Sequence, residues 1–169
     1  MKIYIRETRQ GSSQGQILHL QVWKVDKLRH RQDGPAVKRS DGFSQWYHKG
    51  KLHRLDGPAT VDPNGGFEWR LDGLRHRDDG PAIVTPYVEE WYQHGLVHRE
   101  DGPAIVRDGG AREWYRHGKR HRLDGPAIDH ADKTRHRYYV EDLLIDLWAY
   151  PVEVYKYRWK QSADREGRA

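Results

Sequence analysis

His53, Arg54 and Asp56 stand together in the stretch HRLDGPA, and the same seven letters return at 121–127, with near copies beginning at His30, His76 and His98. Histidine can act as a general base, arginine can hold an anion, and aspartate can orient an imidazole, so the set contains the ingredients of acid–base catalysis. Imidazole and carboxylate are also the donors of zinc-like cations. Both chemistries require the groups to converge at one place. The heptads instead start 23, 23, 22 and 23 residues apart, which makes them parts of a repeat.

The repeat is larger than the heptad. Trp23, Trp46, Trp69, Trp91 and Trp114 each precede a heptad histidine by seven residues. Gly50, Gly73, Gly95 and Gly118 follow their tryptophans by four, with Lys27 in the first copy. The pairs Lys49-Gly50, Asp72-Gly73, His94-Gly95 and His117-Gly118, flanked by β-prone residues, predict two-residue hairpin turns, because glycine tolerates the positive φ such turns require. Tyr47 then lies opposite Leu52 and Trp46 opposite His53, with Trp and His on one face and Tyr47 and Arg54 on the other. Asp-Gly-Pro-Ala ends the strand by turn chemistry, and the chain resumes at Val37, Thr60-Val61, Ile83-Val84, Ile105-Val106 and Ile128. Stacked units predict one antiparallel meander with a tryptophan ladder along a face.

That architecture limits the chemistry. Equivalent atoms of successive hairpins fall about 10 Å apart, whereas the ligands of one zinc ion must each come within ~2.1 Å of it. Neither metal ligands nor catalytic residues nor a cofactor are expected. His130 and His136, outside the repeat grid, read as solvated. The heptad has a structural reading: Arg54 reaches an Asp of an adjacent repeat, and His fills space beside Trp and donates to a turn carbonyl. Serines are few, cysteine is absent, and Gly11–Gly15 lacks the Lys-Ser/Thr ending of a phosphate loop.

The ends depart from the period. Residues 1–22 alternate as a capping hairpin with a loop at Gly11–Gly15. Residues 23–137 hold the five repeats. Residues 138–169 begin with a degraded sixth unit, where Tyr138-Tyr139 take the Trp-Tyr positions and Ile145 the His position, as in a terminal cap. After Asp146 the spacing of Trp148, Val152, Tyr155 and Trp159 predicts a helix packed on the sheet by that face, although Val152–Tyr157 also alternates like a strand. The tail from Gln161 is expected to fray. The fold class is mainly β: an elongated antiparallel sheet of tandem hairpins with a C-terminal helix.

The unit resembles the MORN repeat family, on Tyr47-x-x-Gly50-x-x-His53, Tyr92-x-x-Gly95-x-x-His98 and Tyr115-x-x-Gly118-x-x-His121. Arg70 and Lys24 replace Tyr in the third and first copies, and Arg with Asp-Gly-Pro-Ala replaces the usual Gly-x-Gly after His. The resemblance covers about 23–145 and is to divergent arrays found in bacterial, phage and giant-virus proteins. It implies a non-enzymatic interaction scaffold, for instance a phage or bacterial modulator or inhibitor of a host complex.

Function is then sought where the copies differ. His48, Lys49, Phe67, Glu68, Glu90, Gln93, Arg112 and Arg116 are the candidate contacts for a protein partner. The rival is nucleic acid or a nucleotide phosphate, held by the row Arg31, Arg54, Arg77, Arg99 and Arg122 beside tyrosines. The net charge of +5 invites it, yet the interleaved row from Asp33 to Asp124 would cancel much of that field. Without cysteine, and with no apolar run long enough for a signal peptide or membrane span, the chain reads as cytoplasmic.

Overall fold

In the computed structural model the backbone is described for residues 5–13, 16–132 and 135–166, and side chains for 18–132, 135–158 and 160–161. The chain is mainly β with one C-terminal helix, Tyr150–Glu166, and separates into two compact units, 1–96 and 97–169.

Each repeat uses its strands in two ways. The short connectors build an antiparallel sheet, which in 1–96 runs in the order Ile5–Ser13, Gln16–Val25, Val37–Arg39, Ser44–Gln45, Thr60–Val61, Phe67–Glu68, Ile83–Val84, Val88–Glu90. In 97–169 the order is Ile105–Arg107, Arg112–Glu113, Ile128–Asp129. After the first copy, where Leu28–Arg29 pairs with the end of Gln16–Val25 in the sheet itself, the Trp-Tyr and pre-heptad segments form separate two-stranded arms, such as Tyr47–His48 with Lys51–Leu52 and Tyr115–Arg116 with Lys119–Arg120. The expected single meander is therefore divided. The tryptophan sits at the joint, where the Trp46 N–H donates to the Ala59 carbonyl at 2.8 Å and Trp69 repeats the bond with Ala82.

The predicted register holds: Tyr47 pairs with Leu52, and the His53 N–H donates to the Trp46 carbonyl. Both turn residues have left-handed backbone, with φ of 48° at Lys49 and 81° at Gly50, the signature of a type I′ turn. Lys27, lacking the glycine, adopts φ 67° all the same. Turns along the chain are tied in series, since the Gly50 N–H donates to the Arg29 carbonyl and Gly73 to Leu52, both at 2.8 Å.

At the N-terminus the hairpin is present but tighter than expected. Gly11, Ser12 and Ser13 pair with Leu18, Ile17 and Gln16, so the expected loop at Gly11–Gly15 is largely strand. Met1–Tyr4 and residues 14–15 lie outside the described residues. The degraded sixth unit is a true hairpin, Tyr138 pairing with Ile145 around Glu141-Asp142.

The helix corrects two expectations. It continues to Glu166, past the expected fray, and it packs by the other face. Val154 is buried with Val140 and Ile145 in a cluster joined by Tyr150 and Tyr157, which are three and four residues either side of it on one stripe. Trp148, Val152 and Tyr155 face outward, Trp148 being 83% exposed. The Trp159 side chain lies outside the described residues.

Candidate functional site

The heptad residues occupy one another. The Arg54 guanidinium lies over its own Trp46 ring at 4.1 Å, donates from Nε to Asp56 at 2.9 Å, and reaches the Pro58 carbonyl with Nη1. Arg77 does the same with Trp69, Asp79 and Pro81, and Arg122 with Trp114, Asp124 and Pro126. Two expectations are corrected by this. The arginine shares the tryptophan's side of the arm, and its acid partner belongs to the same heptad. The heptad glycine has its own reason, because a Cβ at Gly57 would stand 2.9 Å from Arg54 Cζ. Alanine closes the motif with no exposure at Ala36, Ala59, Ala82, Ala104 and Ala127.

Histidine acts in the reverse sense to that expected. Rather than donating to a carbonyl, His76 Nδ1 accepts the N–H of His94 at 3.2 Å, His98 accepts that of His117 at 3.0 Å, and His30 accepts that of Lys49 at 3.1 Å. Each heptad thus holds the turn of the following hairpin. Accepting at Nδ1 requires a neutral ring with its proton on Nε2, and His76 Nε2 faces Asp78 at 3.3 Å. Burial first, with the nearby His117 and Arg116, pushes the His98 pKa down. Burial and Arg116 likewise lower His121, against the pull of Glu141.

The variable positions fall into two groups. Glu68 and Glu90, read as partner contacts, are locked: Arg70 and Arg75 donate to Glu68 Oε1 at 2.8 and 2.9 Å, and the Tyr92 hydroxyl donates to Glu90 at 2.9 Å. Burial pushes the Glu68 carboxyl up, but the two arginines more than offset it and hold it below its ordinary value. Gln45 with Tyr47 and Glu113 with Tyr115 repeat this bond, and burial beside Glu113 pushes the Tyr115 hydroxyl up to about 12. An acid or amide two residues before the Tyr position, with Arg70 replacing Tyr opposite Glu68, was the sequence signal for this structural pair. His48, Lys49, Phe67, Gln93 and Arg112 are exposed, and Arg116 is half-buried. Phe67 and Arg112 belong to sheet strands, whereas His48, Gln93 and Arg116 belong to arms.

No protein-family model, no curated protein and no solved structure matches this chain.

Within the arms, open grooves separate successive heptads. One of about 750 Å³ is lined by His30, Arg31, Tyr47, His48, His53 and Arg54 among others. In the other unit, the helix packs on the last heptad. The Tyr150 hydroxyl donates to the Arg122 and Gly125 carbonyls at 2.8 and 3.0 Å and accepts the Gly125 N–H at 3.1 Å, while Tyr157 packs on the His121 ring at 4.9 Å. Outside the repeat grid, His136 Nε2 lies 2.8 Å from Asp129 Oδ1. Among the described residues, no helix is long and apolar enough to cross a membrane.

Proposed function

We propose that this chain is a non-enzymatic, MORN-like repeat scaffold of the cytoplasm that binds a protein partner. The observation that carries the reading is an exposed apolar group at the start of the C-terminal helix: Val152 and Tyr155 on its outward face, with Leu147 and Trp148 in the turn just before it. Large aromatic and aliphatic groups held in water are characteristic of protein-binding surfaces. The groups that would serve catalysis are engaged elsewhere, each heptad histidine in a turn bond and Arg54, Arg77 and Arg122 between a tryptophan and an aspartate. An arginine held that way has its charge offset by the aspartate of its own heptad, which disfavours the nucleic-acid reading.

By analogy with the family it resembles, the partner would be a host complex that a phage or bacterial protein modulates. The test is capture from nuclease-treated bacterial lysate with the full chain and with a Trp148→Ser/Tyr155→Ser variant. A specific protein retained by the first and lost by the second is expected. Recovery of nucleic acid alone, or of a protein that both retain equally, contradicts the proposal.

A further inference from the structure

One place among the arms breaks the repeat pattern in a concerted way. The position two residues after Trp is Val25, His48, Leu71, Gln93 and Arg116 in successive copies, so only the second supplies a ligand-type side chain of this kind. The turn residue that meets the preceding heptad histidine is Lys49, Asp72, His94, His117 or Glu141, so His53 of that same second copy meets a carboxylate. His48, His53 and Asp72 thereby come together, each offering a donor atom, with all three donors within 4.8 Å of one another. Among the described residues this is the one His/acid group of three gathered so closely.

We propose that His48, His53 and Asp72 form a binding site for a divalent first-row transition cation of the zinc type. Two imidazole nitrogens and one carboxylate oxygen suit zinc, cobalt or nickel rather than calcium or magnesium, which prefer all-oxygen sites. In a tetrahedral site with ligand bonds near 2.1 Å, donors stand about 3.4 Å apart. His53 Nδ1 and Asp72 Oδ1 are already 3.1 Å apart, and the His48 and His53 rings are 5.6 Å apart, centre to centre. Closing the remainder takes side-chain rotation of His48 and Asp72, both exposed. Three protein ligands leave a fourth position to water or to a group from a partner.

The surroundings permit the added charge. Arg31 and Arg54, which line the same groove, are held over Trp23 and Trp46, each at 4.1 Å. The His53 bond is divided, its Nδ1 standing 3.0 Å from the Asp72 N–H and 3.1 Å from the Asp72 carboxylate; His121 is divided likewise at Glu141, but the ring beside it is the phenol of Tyr157 where His53 has His48. The exposed turn at Asp72 lets water take over that N–H when the ring turns to a metal. Because His48 and His53 belong to one arm and Asp72 to the next, a bound cation would clamp two successive hairpins together.

The test is calorimetric titration of the full, untagged chain with Zn²⁺ at neutral pH, with Co²⁺ absorption as a second readout. The wild type is compared with His48→Gln and Asp72→Asn. His48 is exposed, and asparagine keeps the left-handed backbone that Asp72 adopts at φ 49°, so both variants preserve the fold. One Zn²⁺ per chain is expected, with a raised melting temperature, and affinity falls about tenfold or more in each variant. The absence of saturable binding, or binding that both variants retain in full, overturns the site.

Discussion

The heptads at 53–59 and 121–127 are identical in sequence and differ in what stands beside them. At 121–127 the helix packs against one side of the motif, leaving a smaller groove of about 330 Å³ along His121, Arg122 and Leu123: Tyr150 bonds the backbone at Arg122 and Gly125, Tyr157 lies on His121, and Leu123 packs against the cluster of Val140, Ile145 and Val154. At 53–59 the motif opens into grooves, Leu55 is 82% exposed, and His53 meets His48 and Asp72. The seven letters therefore specify how one hairpin holds the next. How much of a heptad stays accessible is decided by residues outside it.

The largest expected effect is one that both heptads share. Ala59→Leu and Ala127→Leu each force three extra carbons into a site with no exposure, costing about 3 kcal/mol or more. Chemical denaturation should show similar losses, and tolerance of either variant would separate the two heptads at the level of their core. Tyr150→Phe comes next and acts on 121–127 alone. It removes the donor to two carbonyls and leaves the Gly125 N–H without its acceptor, a loss of about 1–3 kcal/mol. Hydrogen exchange should accelerate at Gly125 and leave Gly57 unchanged.

Acid should act on 97–169. His98 and His121 have folded pKa values below the ordinary 6.5, chiefly through burial. The unfolded chain therefore binds protons first as pH falls. Their contribution to stability is complete above pH 6.5 and is lost progressively as pH drops through the folded values. Protection of the His117 and Glu141 amides, which these rings accept, should fall in that window, and constant protection would remove the neutral-ring assignment. The smallest effect is a gain. Lys27→Gly relieves a lysine at φ 67° and should stabilise the first turn by about 0.5–1 kcal/mol.

Much of the fold was legible from spacing. The period located every arm, Lys49-Gly50 gave the turn type, and Tyr138-Tyr139 with Ile145 gave the sixth hairpin, because turn chemistry and alternation are local properties. The helix's buried face was not. Trp148, Val152 and Tyr155 share the spacing of Tyr150, Val154 and Tyr157, and only the position of the sixth hairpin decides which stripe is covered. The heptad's internal bonds escaped for a related reason: sequence shows that Arg54 and Asp56 recur, whereas the fold of Arg54 over Trp46 depends on the space left by Gly57. Among the candidate contacts, Glu68 and Glu90 looked variable in isolation and become structural once paired with Arg70 and Tyr92.

The central claim is that each heptad histidine is a neutral acceptor holding the next turn. It is tested most directly by nitrogen-15 NMR of the imidazole rings at neutral pH. The prediction is an Nε2-protonated tautomer for His30, His76 and His98, with Nδ1 hydrogen-bonded to the amides of Lys49, His94 and His117. Rings protonated at Nδ1, or exchanging freely between tautomers, would contradict it.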